Sequence, residues 1–232
     1  MIGFSDIKDK KRYKNEIREY REFLFNITKY VEPLGDSEYY DFYLTLLKKE
    51  LRYSSLLEIN RGNAPNRFIY PFHKMDPELM GYRRPKEKIE IDIIDNNLLS
   101  QPWNHRRYSN LLHYLKTRDF KYDSLNHYAI YYDGLDVTSV YNGFHSLGVG
   151  MYLGEGKIEA EYYDVRKIFK YVNANEDLSF SYDKEKIIER LEKEGTKIPY
   201  TSVANLDDRF YGTDYRLMLI YELSKRKYEN KG

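Results

Sequence analysis

Cysteine is absent from the 232 residues, which excludes disulfides, thiolate metal ligands and a cysteine nucleophile. An excess of either charge is missing too. Thirty-eight Lys and Arg balance 37 Asp and Glu to a net +1, so no global field draws in DNA or an anionic membrane, and any nucleic-acid contact must be local. Long apolar runs are lacking: the opening MIGFSDIKDKKRYKNE is charged from residue 6, and no window approaches the length of a membrane span. The expectation is a cytoplasmic protein with no membrane partner. No Gly-x-Ser-x-Gly elbow, phosphate-binding Walker loop or dinucleotide fingerprint occurs. The five histidines show no tight spacing with carboxylates, so no metal site is expected.

Aromatic residues are plentiful, at 16% with 26 tyrosines, and a disordered chain would lack them. Tyrosine combines apolar area with a polar tip, which suits core and rim positions and also binding surfaces.

The order of elements predicts an α+β fold. Tyr13, Ile17, Tyr20, Leu24, Ile27 and Val31 fall at three-and-four spacing over residues 6–31, the mark of one helix face. Pro33 and Gly35 end that helix. A second stripe follows through Tyr39, Tyr43, Leu46, Leu47, Leu51 and Leu57, so residues 1–60 read as a helical hairpin packed on the core. Residues 61–87, with four of the seven prolines, read as a connection.

The expected core spans 88–172: a strand at 88–94, a helix from Arg106 or Tyr108 to Arg118, a hairpin of 127–132 and 136–141 about Asp133-Gly134, a helix at 144–153 and a strand at 157–163. Residues 164–172 read as a helix or turn-like return. Residues 173–232 read as a helical region, with helices at 183–194 and 214–228.

Two constellations carry chemistry. VYNGFHSLGVG, residues 140–150, is a strand ending in Asn142-Gly143 and feeding a helix. The first N–H groups of such a helix are unpaired and backed by the positive end of its dipole, a ready site for phosphate. Gly143 allows a positive φ, while His145 and Ser146 sit in the first turn as donors. The plainer alternative is a tight turn, a capping Ser146 and a hydrogen-bonded His145. Two glycines in so short a helix each cost about 1 kcal/mol relative to alanine, which points to a packing or binding reason.

The second constellation is QPWNHRR, residues 101–107. Arg106 and Arg107 at a helix start oppose the dipole, so they imply an anionic partner or a nearby carboxylate. Trp103 is either a core anchor or a stacking platform.

The order IIDNNLLSQPWNHRR, helix, hairpin, VYNGFHSLGVGMYLGEGKIEAEYYDV resembles the ParB and sulfiredoxin type of domain, over roughly residues 88–172. In that superfamily an Asn-Pro-x-x-Arg-like box precedes a helix, and a later strand ends in a Gly-x-His-Arg box. Asn142, Gly143 and His145 match the second box, with Asn104 and Arg106 or Arg107 at the first. The chain is also similar to an uncharacterised bacterial and phage family with a Gly-Asn-His-Ser variant of that box.

Ser146 stands where the superfamily has arginine, Phe144 where sulfiredoxins carry their cysteine, and Asn142 where an acidic residue is usual. The resemblance implies a small mixed sheet and a nucleotide or nucleic-acid ligand, such as a nucleoside triphosphate with Mg²⁺. In that reading Asn142, Gly143, Ser146, Asn104, Arg106 and Arg107 bind phosphate. His145 acts as donor or acid–base group, and Glu155 supplies a carboxylate. Members of the superfamily bind nucleotides, hydrolyse CTP, phosphorylate, or act as nucleases, so the fold does not name the reaction. The rival expectation is a non-catalytic factor that binds a protein partner in phage–host conflict.

Overall fold

The computed structural model describes residues 7–34, 38–61, 72, 87–94, 97–115, 118–193, 210–211 and 214–230. The chain is α+β and divides into two compact units, Thr45–Ile168 and Met1–Leu44 with Phe169–Gly232. This division departs from the segments 1–60, 88–172 and 173–232. Helix α1 (Ile7–Asn26) belongs with the C-terminal region, and helix α2 (Glu38–Asn60) runs from one unit into the other. Apart from Arg61, Phe72 and Glu87, the connection expected at 61–87 lies outside the described residues.

In the unit Thr45–Ile168, alternating apolar residues make β1 (Lys88–Asp92) and β5 (Lys157–Asp164). They pair antiparallel with Ile91 opposite Ile158 and Ile89 opposite Ala160, so the apolar members share one face. The hairpin forms as β3 (Tyr128–Asp133) and β4 (Val137–Asn142). Its turn is longer than the expected Asp-Gly pair: Gly134 at φ 91° and Asp136 at φ 52° both take left-handed conformations. The Asp136 carboxylate there accepts from Lys48 Nζ at 3.1 Å and Asn97 Nδ2 at 2.8 Å.

A short strand that the sequence pattern did not reveal, β2 (Leu98–Leu99), pairs parallel to β4. The mixed sheet runs β1-β5-β3-β4-β2, with β3 and β5 parallel.

Helices α3 (His105–Leu115) and α4 (Phe144–Leu153) pack together, with Tyr108, Leu147, Val149 and Met151 joining Ile91, Ala129, Val140 and Ile158 in one core. Gly148 permits the close approach: a Cβ there would lie 2.6 Å from Pro102 Cγ. The C-terminal half of α2 completes this core with Leu56 and Ile59. The buried Arg52 guanidinium donates to the carbonyls of Ile93 and Ile94 at 2.9 and 3.0 Å, satisfying groups in the turn that follows β1.

In the other unit the expected α1 stripe faces inward, with Tyr20, Ile27 and Val31 buried, and the helix continues through a π-helical turn (Ile27–Val31). It packs against α6 (Tyr215–Glu229). The C-terminal region is not wholly helical. β6 (Val172–Ala174), β7 (Ser179–Tyr182) and β8 (Phe210–Tyr211) form an antiparallel sheet, and α5 (Lys184–Lys193) follows β7. The strands are too short to show a sustained alternation. Asp214 caps α6 by accepting the Arg216 N–H at 3.0 Å, and Tyr221 Oη donates to the Val172 carbonyl at 3.0 Å.

The inward face of α2 is also corrected. Tyr40, Leu44, Leu47, Leu51, Leu56 and Ile59 are buried, whereas Tyr39, Leu46 and Leu57 are exposed. The helix is apolar on two sides, and periodicity alone chose the wrong one for these three. Among the described residues no helix is long and apolar enough to cross a membrane.

Candidate functional site

At its end β4 takes an extra residue relative to β3: Tyr128 faces Asn142 while Ala129 faces Val140. Such a bulge re-aims the chain as it leaves the sheet. Gly143 then turns it into α4 at φ 83°, ψ 21°. A Cβ on Gly143 would fall 2.5 Å from His127 Cδ2 and 2.8 Å from the Asn126 carbonyl, so glycine is required by conformation and by packing alike. The Gly143 cap supplies no side chain to the helix start. The N–H groups of Phe144, His145 and Ser146 have no hydrogen-bond partner among the described residues.

The start of α3 lies against this turn. Asn104 caps α3 through its Oδ1, which accepts the Arg107 N–H at 2.9 Å. Its own N–H donates to His145 Nε2 at 3.1 Å, fastening together helix starts 41 residues apart in sequence. An Nε2 that accepts a backbone N–H carries no proton, so the imidazole proton is on Nδ1. Burial, then the neighbouring Arg107 charge, hold the His145 pKa below its ordinary value. Trp103 sets its ring edge-on to His145 at 5.2 Å, and the Arg107 guanidinium lies 5.4 Å above the Trp103 ring.

These pieces enclose an open cleft of about 430 Å³, lined by Trp103, Arg107, Asn110, Leu111, Asn126, Asn142, Gly143, Phe144, His145 and Ser146. None of these residues is acidic. Arg107 forms no ion pair among the described residues; its partners are the Trp103 ring and, through its backbone, Asn104.

Ser146 Oγ donates to the Gly143 carbonyl at 3.1 Å and lies 2.8 Å from His127 Nε2. This spacing resembles a nucleophile with its base, but the protons are placed otherwise. His127 Nδ1 accepts the Asp123 N–H at 3.1 Å, so Nε2 already carries the proton and donates it to Ser146. His127 therefore holds Ser146 in place rather than deprotonating it. Stacked on Phe120 at 5.3 Å, His127 is buried, and burial pushes its pKa down against the opposing pull of Asp123.

A family model matches residues 2–232. The chain belongs to DUF6710, a family of unknown function. No curated protein and no solved structure matches it.

Of the residues singled out in this family member's sequence, Asn142, Gly143, His145, Ser146 and Arg107 converge on the cleft. Asn104 adjoins it, with its side-chain oxygen spent on the α3 cap and its backbone on His145. Arg106 is exposed and does not line the cleft. Glu155 is exposed beyond Gly154 at the far end of α4, roughly 15 Å of helix away, and cannot serve this site as a carboxylate. Asn110, Leu111, Asn126 and the positioning His127 escaped the sequence reading, because no local spacing ties them to residues 140–150.

The donors present fit an anion. With no carboxylate among them, they do not fit Mg²⁺ directly.

Proposed function

We propose that the cleft binds the phosphate of a nucleotide or nucleic acid, in a core of the ParB/sulfiredoxin-like type. One observation carries the reading: three unpaired amides at the start of α4 and an arginine without a described carboxylate partner line the same acid-free cleft. Backbone amides at a helix start and a guanidinium are the groups that recognise phosphate, and their proximity to one another without a counterion is costly unless an anion visits. The order β1, α3, β3–β4, α4, β5 supports the core assignment. His145 is the acid–base group among the lining residues, neutral and with its Nδ1 proton left to donate. The cleft is a binding site first. A hydrolase or nuclease step would have to run without Glu155 and without Ser146 as a nucleophile activated by His127.

Thermal melting with CTP, ATP, GTP or inorganic phosphate, each with and without Mg²⁺, tests the reading. A ligand at about 100 times its dissociation constant adds about 2.7 kcal/mol of stability, a clear rise in Tm. Arg107→Ala and His145→Ala are expected to remove that rise, while Arg106→Ala leaves it. No rise with any of these ligands refutes phosphate binding and favours the protein-interaction reading, to which the exposed Leu46, Tyr53 and Leu57 of α2 lend support.

A further inference from the structure

The acid-free character of the cleft extends beyond it. From Asn96 to Arg118 the chain has no Asp or Glu, although 37 of its 232 residues are acidic, and this stretch carries Arg106, Arg107, Lys116 and Arg118. Arg107, Asn110 and Tyr114, at intervals of three and four, share one face of α3, with Trp103 two residues before the helix and Arg118 three residues after it. Tyr108 is buried and Leu111 and Leu112 are partly buried against the core, so the opposite side of α3 does the packing.

On the outward face the same unit occurs twice. Arg107 lies 5.4 Å over the Trp103 ring, and Arg118 lies 4.5 Å over the Tyr114 ring while also donating to its hydroxyl. Both rings are open to solvent, Trp103 at 38% and Tyr114 at 49%. Neither arginine pairs with a carboxylate among the described residues; the first acid after the stretch is Asp119, next to Arg118 in sequence.

We propose that the outward face of α3, with Trp103 just before its start and Arg118 beyond its end, is a track for single-stranded nucleic acid. The proposal rests on the cleft being a phosphate site and extends it along the helix. Seven residues of α3 separate Arg107 from Tyr114, about 10 Å along the helix axis, which is longer than one nucleotide. A strand rising about 3.4 Å per nucleotide covers that distance in roughly three. Exposed rings offer stacking faces to unpaired bases, and the guanidiniums beside them meet the phosphates that link those bases. A duplex hides its base faces and would leave the rings unused. Since the whole chain carries a net charge of only +1, no global field adds to the local attraction, and binding through these few phosphate contacts must weaken with salt.

Fluorescence anisotropy of a labelled oligothymidylate of about twelve nucleotides, titrated with the full chain at low salt, tests the track. The single strand is expected to bind more tightly than either TMP or a duplex of equal length. Tyr114→Ala and Arg118→Glu, both on the exposed face, should each weaken it about tenfold and leave the melting shift caused by inorganic phosphate unchanged. Arg107→Ala should weaken both. If the strand binds no better than TMP or the duplex, or if both outer variants bind it as the parent does, the track is wrong. A phosphate shift that survives Arg107→Ala refutes the cleft reading instead, so the two ideas fail by different results.

Discussion

His145 and His127 are both held neutral, each by a backbone N–H that fixes its tautomer and by burial that lowers its pKa. An unfolded chain would take up protons at these positions near pH 6.5, whereas the folded chain resists. Their contribution to stability is therefore complete above about pH 6.5 and is lost as pH falls below it, toward the lowered folded values. The Tm of the ligand-free protein should drop between about pH 7.5 and about pH 5.5, and His127→Gln should flatten part of that drop. A Tm that holds steady or rises over this interval would contradict the assignment. Single residues were also where the sequence spoke most clearly about the site. Asn142, Gly143, His145 and Ser146 form one short motif whose strand-to-helix geometry is local, and the doubled arginine stood out against the helix dipole. His127 was hidden because only the folded hairpin brings it within 2.8 Å of Ser146. The opposite error fell on Glu155, which is near the motif in sequence but separated from it by the whole of α4.

Helix α4 is apolar nearly all round, with Leu147, Val149 and Met151 buried, and its two glycines have packing reasons. Gly148 meets Pro102 and Tyr108, and Gly150 meets the Glu155 carbonyl and Ile93. A methyl group at position 148 would recover about 1 kcal/mol of helix propensity, but overpacking a buried contact costs about 1–3 kcal/mol. Since Pro102 is a rigid ring on a buried segment, the second effect wins. Gly148→Ala should lower the Tm and, by pushing the α3 start away from α4, weaken phosphate binding; a variant as stable as the parent, with unaltered binding, would show that the two helix starts are not coupled. Elements with strong local signals were legible: the strands β1 and β5, the hairpin, and α4 with its bounds. β2 and β6–β8 were not, because strands of two to four residues cannot display a period. On α2 the period was visible twice, and only tertiary packing selects which side faces inward.

At the scale of the whole molecule, resemblance and architecture draw different boundaries. The likeness begins at residue 88, yet the core of the unit that holds the cleft includes Leu56 and Ile59, and the Ile93 and Ile94 carbonyls just after β1 rely on Arg52. A polypeptide of residues 88–172 should not give a cooperative melting transition, whereas one of residues 45–172 should retain more of the native signal; equal cooperativity in the two would show α2 to be dispensable. Helices α1 and α6, from opposite halves of the sequence, also fall in one unit, an arrangement that composition and periodicity did not disclose.

Arg52 gives this a practical edge. Excision by motif, starting at the first recognisable strand, would strip the guanidinium from the buried Ile93 carbonyl and the half-buried Ile94 carbonyl and uncover oily surface beneath them. Loss of ligand affinity in such a piece would then report a collapsed scaffold and say nothing about the chemistry of the cleft it was meant to isolate.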